Sequence, residues 1–347
     1  MSTETFTRRC CRAHCALSIA VKHSKTGTAP IMSNWLLYVV TVLVWGTTWI
    51  AIEFQIGDVA PEVSVFYRYL FAAVLLFGWC LVRNLQLRFN LRAHSRFVLL
   101  GLLLFSVNYI VTYHAQLHIT SALTAIVFST MLWMNIINAR LFFGTRIDRS
   151  TITGSILGIA GIMFLFLPEV ENLSLADATL YGTGLAFLGA LIASLGNMVS
   201  QGAQKDGLPI VQSNAWGMFY GAVLTGSIAF GQGKDFFFDW TTEYAISLVY
   251  LTIFGSIIAF GSYLTLLGRI GADKAGYAMV MFPVVAIVIS IVLEEITLTG
   301  QIIAGVSLVL LGNVLILRAR SATTGGSTEG VVAKRSLRYI FRRQRQL

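Results

Sequence analysis

Ten long apolar runs alternate with short polar segments along the chain, each of a length suited to a helix that crosses a bilayer. They fall at Trp35–Phe54, Val63–Val82, Phe97–His114, Ile119–Phe143 and Ile152–Leu167, then at Thr179–Ser200, Gln212–Gly231, Tyr244–Leu266, Ala275–Leu293 and Leu298–Leu317. A hydrocarbon layer roughly 30 Å thick takes about 20 residues at a rise of about 1.5 Å each. In lipid the backbone polar groups must be paired inside the protein, and a helix pairs them within its own segment. The pattern therefore predicts an all-α integral membrane protein of ten transmembrane helices joined by short connections.

The basic residues give this bundle a direction. With the amino terminus inside, 23 of the 25 lysines and arginines fall on inner connections or on the two tails. The outer connections keep Lys234 alone, beside acids such as Asp58, Glu62, Asp235, Asp239 and Glu243. That is the positive-inside asymmetry, and a missed or surplus span would scramble it. Both termini are expected in the cytoplasm, with the protein in the cell membrane and most simply a bacterial inner membrane.

Composition closes off other classes. Charged residues are 12% and apolar residues 56%, with a mean hydropathy of +0.74, whereas soluble domains carry about 25% charged residues. Disorder throughout would need low hydrophobicity, and four cysteines do not make a disulfide scaffold. A net charge of +9 invites a nucleic-acid reading. The excess sits where topology requires it, however, so no nucleic-acid partner is expected. The expected partners are membrane lipids and a small-molecule substrate, and nothing in the pattern specifies an oligomer.

Ten spans divide into two sets of five. A shift of 151 positions lays Gly154 on Gly305 and Gly161 on Gly312, and sets Ser121–Phe143 over Ala272–Glu294. Because five is odd, the second set enters the membrane from the opposite face. The expected architecture is two inverted five-helix repeats, residues 34–168 and 169–318, related by a pseudo-two-fold axis in the membrane plane, as secondary transporters use. A polar basic head, residues 1–33, and a basic tail, residues 319–347, flank them. His14 interrupts the short Ala13–Val21 run, which leaves no signal-peptide core. Residues 1–31 are expected to be disordered, with Met32 standing as an alternative start.

One stretch carries a resemblance. The order Trp45-Gly46-Thr47-Thr48-Trp49, then Ala60-Pro61-Glu62, then Tyr67-Arg68-Tyr69, is similar to the first two helices of EamA-type transporters of the drug/metabolite transporter superfamily. In the second half Gly271-Ala272-Asp273-Lys274-Ala275, Pro283, Glu294-Glu295 and the Gly305 and Gly312 spacing continue the likeness, over roughly residues 34–318. The resemblance implies two five-helix repeats around a central cavity, and export or exchange of small metabolites, often amino acids. Members of that family frequently carry lysine where Glu53 stands here, so the charge of the substrate does not carry over.

Ionisable groups inside a bilayer are functional candidates because each costs about 2.5–3.5 kcal/mol to insert. Glu53 and Arg68 qualify. Arg68 breaks the positive-inside pattern and has two readings, a planar clamp for a substrate carboxylate or a structural cation that pairs or snorkels. Depth along the first two spans places Glu53 and Arg68 as a pair at the outer rim of the cavity. Trp45, Thr48, Asn108, Tyr109, Asn197 and Tyr263 are expected to line the substrate site, as aromatic walls with a few polar tips do. Tyr113 and His114 read instead as belt or loop residues, and Pro283 as a gating kink.

His114 and His118 have helical metal spacing without a third ligand, and Cys10, Cys11, His14 and Cys15 lack the gap of paired ligands. No metal or other cofactor is expected, and no nucleotide or hydrolase motif occurs. An intramembrane lipid-modifying enzyme would need His, Asp or Glu gathered at one face, and a channel would need a filter or charge ring. A secondary transporter is thus the leading expectation, and the protein is not expected to be an enzyme. Reporters active on one face only, fused after Arg92, Asp148 and Arg320, should read inside, and after Asp58, Glu171 and Asp239 outside. A reproducible reversal at one of these sites removes the odd-repeat argument.

Overall fold

The computed structural model describes residues 32–145, 147, 149–171, 177–282, 284–285 and 300–318. All regular structure among them is helical. Helix α1 spans Asn34–Glu53, α2 Pro61–Val82, α3 Leu91–Leu104, α4 Val107–Gln116, α5 Ser121–Ser129, α6 Met131–Phe143 and α7 Arg149–Glu171. In the second half α8 spans Asp177–Lys205, α9 Ile210–Gly231, α10 Thr242–Tyr250, a π-helical stretch Leu251–Ile258, α11 Ala259–Ile270, α12 Ala272–Ala275 and α13 Gly300–Arg318. Residues 277–282 are also helical. The head, its Cys10–Cys15 cluster, Pro283, Glu294, Glu295 and the basic tail from residue 319 lie outside the described residues.

Among the described residues, five helical segments are long and apolar enough to cross a membrane. They are Asn34–Glu53, Pro61–Val82, Leu91–Gln116 taken through its break, Leu180–Lys205 and Thr242–Ile270. Shorter apolar stretches lie at Val127–Phe143, Ile152–Gly161 and Ile303–Gly312. Burial is inverted relative to a water-soluble protein. Val82, Phe142 and Leu180 stand exposed while Arg68, Gln55 and Asn135 are buried. That distribution suits a surface facing hydrocarbon, where the polar groups have to find partners within the bundle.

Local chemistry explains where the helices start and stop. Pro61 opens α2 with Glu62 in its first turn, a fixed φ and a negative charge placed at the positive end of the helix. Asn90 caps α3 by accepting from Ala93 N at 2.9 Å. Gly144 ends α6 with φ 64°, and Gly271 follows α11 with φ 90°, conformations that glycine adopts without strain.

Three of the apolar runs are not continuous helices. The third breaks at Phe105 and Ser106, where Ser106 takes φ −132° and ψ −89°. The fourth pauses at Thr130, between α5 and α6. The eighth loosens into the π stretch, in which Ser256 Oγ donates to Leu251 O, five residues back, at 2.9 Å. Apolar periodicity does not register such breaks, because the residues around them are mostly apolar whichever helical form they take. The two serines play matching parts: Thr225 Oγ1 donates to Ser106 Oγ at 2.7 Å, and Arg68 Nε donates to Ser256 Oγ at 2.8 Å. They stand within one position of the 151-residue offset between the halves.

Glycines set the closest approaches. A side-chain carbon on Gly161 would stand 2.7 Å from Gly305 O, and one on Gly312 would stand 2.5 Å from Gly154 O. Pairing 161 with 305 and 154 with 312 runs α7 and α13 antiparallel. Helices α3 and α9 cross in the same way, with Gly101 against Gly217 and Gly221. A carbon added at Gly101 would stand 2.7 Å from Gly221 N, whereas Gly184 on α8 has open space. Gly101→Val is therefore expected to lose about 1–3 kcal/mol or more, read as a lower melting temperature in detergent, and Gly184→Ala to lose none. Equal melting of the two variants would show that the crossing tolerates a side chain.

Candidate functional site

A pocket lies among α1, α3, α4, α5, α6, α8, α11 and residues 279 and 282. Seven aromatic side chains form its walls. The Trp45 ring meets Phe260 edge-on at 4.8 Å between centroids, Tyr263 at 5.0 Å and Phe282 at 5.8 Å. Opposite them Trp49 packs on Phe128 at 5.0 Å. Thr48, Asn108, Thr112 and Asn197 supply the polar tips, and among the described residues no ionisable side chain other than the two tyrosines lines it. Large flat walls with a few amide and hydroxyl groups are the usual lining of a small-molecule site.

The spacing along each helix shows why these residues converge. Trp45, Trp49 and Ile52 repeat at helical intervals on one face of α1, and Asn108 and Thr112 do so on α4. Trp45 is fixed by donating from Nε1 to Gly255 O at 3.0 Å. That bond reaches a carbonyl in the π stretch. A carbon on Gly255 would stand 3.0 Å from Thr48 and 3.1 Å from Arg68, so a larger residue there would crowd both sides.

Below the aromatic walls lies a buried polar network that the sequence reading had only in part. Asn197 Nδ2 donates to the Tyr263 hydroxyl at 3.0 Å and to Asn135 Oδ1 at 3.2 Å. Ser194 Oγ donates to Asn135 Oδ1 at 2.8 Å and accepts from Asn138 Nδ2 at 2.9 Å. Asn135 with Asn138 on α6, and Ser194 with Asn197 on α8, are two i,i+3 polar pairs facing each other inside apolar runs. That spacing was the available signal.

Arg68 is 1% exposed and stands one layer behind the wall. Its Nε holds Ser256, and its guanidinium carbon lies 4.5 Å from the ring centre of Tyr109 and 5.4 Å from that of Tyr69. The Tyr113 hydroxyl stands close enough to the guanidinium to interact with it, and Tyr69 lies beside it. Among the described residues no carboxylate pairs with it.

The expected Glu53–Arg68 pair does not form. Glu53 ends α1 exposed, outside the cavity lining. Arg68 is seven residues into α2, about 10 Å along it, with its side chain turned to the π stretch. Similar depth on neighbouring helices did not decide the partnership, because rotation about the helix axis points the two side chains apart.

The acid that is buried is Glu62, 2% exposed, with Oε1 2.7 Å from His114 Nε2. This contact ties the first turn of α2 to the last turn of α4. Tyr113, expected at a belt, is fully buried beside Arg68. The other expected lining residues, Trp45, Thr48, Asn108, Tyr109, Asn197 and Tyr263, all reach the cavity. Pro283 lies outside the described residues. Among those described, no group of three His, Cys, Asp or Glu side chains could hold a metal ion.

An aromatic-walled pocket within a bundle of long apolar helices is the architecture of a multi-pass membrane protein. The chain belongs to the EamA-like transporter family, which it matches twice, over residues 32–167 and 180–318. It is 25% identical to the uncharacterized transporter YoaV of Bacillus subtilis, over 78% of this chain and 91% of that one. It is 27% identical to the uncharacterized inner membrane transporter YedA of Escherichia coli, over 79% of this chain and 89% of the relative. A solved crystal structure shares the fold with a TM-score of 0.67 at 18% identity, covering 83% of this chain and 98% of the other.

The network beneath the cavity yields a stability expectation. Asn135→Ala leaves Ser194 and Asn197 without their shared acceptor, which costs about 1–3 kcal/mol for buried groups. Thermal unfolding of Asn135→Ala, Asn197→Ala and the double variant should give losses that do not add. Strict additivity would mean that the two asparagines act independently.

Proposed function

We propose that the protein is a secondary transporter that exchanges or exports a small amphipathic metabolite across the cell membrane by alternating access, without a resident cofactor. The observation that carries this reading is the cavity itself, whose walls draw on both family-matched segments, with Trp45, Asn108 and Phe128 from the first and Asn197, Tyr263 and Phe282 from the second. A site shared between halves exchanges its exposure when the halves rock against each other. The reciprocal glycine contact between α7 and α13 supports two inverted five-helix repeats, residues 34–168 and 169–318, and ten spans with both termini inside.

The break in the third run and the π stretch in the eighth give each half an interrupted helix beside the cavity. Short-range rebonding at such places lets a helix bend while its backbone groups stay paired. These are the elements we assign to gating, in company with Pro283.

Counterflow in proteoliposomes tests the reading. Labelled substrate should enter faster when unlabelled substrate is trapped inside, and the rate should saturate. Trp45→Ala, which removes the bond to Gly255 and much of one wall, should lower this exchange at least about tenfold while the protein still reaches the membrane. Flux that rises linearly without saturation, or a chemically altered product, would count against a transporter.

A further inference from the structure

The cavity also constrains what the substrate is, and this inference rests on the transporter reading. Its lining holds donors and aromatic faces but no acid among the described residues. Among the described residues the full charge close to it is Arg68, buried, bonded through Nε to a neutral serine and paired with no carboxylate. Trp49, in the wall, carries an Nε1–H that has no acceptor. A buried cation without a carboxylate behind the wall, and an unmatched donor in the wall, make the site complementary to an anion.

The path between Arg68 and the cavity is one side chain deep. Tyr109 lines the cavity and also lies under the guanidinium of Arg68. On the other side Gly255 separates Arg68 from Thr48 by backbone alone. A charge in such a position acts on a ligand in the cavity through protein rather than through water, where it is weakly screened. The rest of the walls are rings set edge to face, which suits a flat apolar body.

An amino acid would bring an ammonium group as well. No carboxylate is present in the lining to receive it, and Arg68 would repel it. An aromatic face can attract a cation, but the Tyr109 face nearest the charge is already covered by Arg68. We propose that the site takes aromatic or similarly flat organic monoanions, a carboxylate on a ring-bearing chain without a free ammonium, in preference to the matching amino acid or amine.

Three probes that share one ring separate the possibilities: 3-phenylpropionate, phenylalanine and 2-phenylethylamine, which are anion, zwitterion and cation at neutral pH. Binding to the purified full-length protein can be followed by the fluorescence of the cavity tryptophans and by calorimetry. The expected order is 3-phenylpropionate tightest, by at least about tenfold over phenylalanine, with 2-phenylethylamine weakest. Arg68→Gln should erase that order, and Arg68→Lys, which keeps the charge, should retain part of it. A melting curve checks that each variant is folded, and the wild-type ranking stands whether or not a variant folds.

Phenylalanine or 2-phenylethylamine binding as tightly as 3-phenylpropionate overturns the proposal, as does an absence of 3-phenylpropionate binding. Saturable counterflow of phenylalanine with no preference for the anion would leave the protein a transporter and reject the substrate class. Tight binding of 3-phenylpropionate without flux of any probe would do the reverse.

Discussion

Two adjacent residues of the π stretch hold the site together. The carbonyl of Gly255 accepts from Trp45 Nε1, and the hydroxyl of Ser256 accepts from Arg68 Nε, at 3.0 and 2.8 Å. One bond orients the largest ring of the cavity wall, and the other fixes the buried cation behind that wall. The first bond is not available to a regular α-helix without competition, since its carbonyls are already engaged by the backbone four residues on. Looser registry frees the geometry, and glycine at 255 lets Thr48 and Arg68 approach from opposite sides. The cavity's shape and its electrostatic sign thus share one support.

Elsewhere the bundle is arranged so that this support can exist. Small residues bring α7 to α13 and α3 to α9 almost backbone to backbone, an economical way to hold helices together where lipid offers no hydrophobic drive for association. Asparagine, serine and tyrosine pair under the cavity instead of facing hydrocarbon. Glu62 and His114 do the same where α2 begins and α4 ends. Breaking one partner of such a contact strands the other, so the networks specify a single arrangement more than they add net stability.

Much of this was legible in the chain. The apolar runs, their lengths and the placement of basic residues give an all-helical membrane protein, and most of the expected lining residues do meet at one cavity. Glycines 154, 161, 305 and 312, picked out by a repeat offset, turned out to touch each other. The network of Asn135, Asn138 and Ser194 was visible as polar spacing within apolar runs, yet spacing alone does not say that two such faces meet.

The sequence by itself determined which segments are helical and apolar and which residues carry polarity into them, because those follow from period, length and the cost of burying polar groups in lipid. Only the tertiary structure decided partnership. Glu53 and Arg68 share a depth and do not pair, while Glu62, which the sequence reading put in an outer connection, is buried against His114. Depth depends on residue number along a helix, but contact depends also on rotation about the axis and on breaks such as Ser106 and the π stretch. Those are settled by packing among helices far apart in the chain, and no local pattern records them.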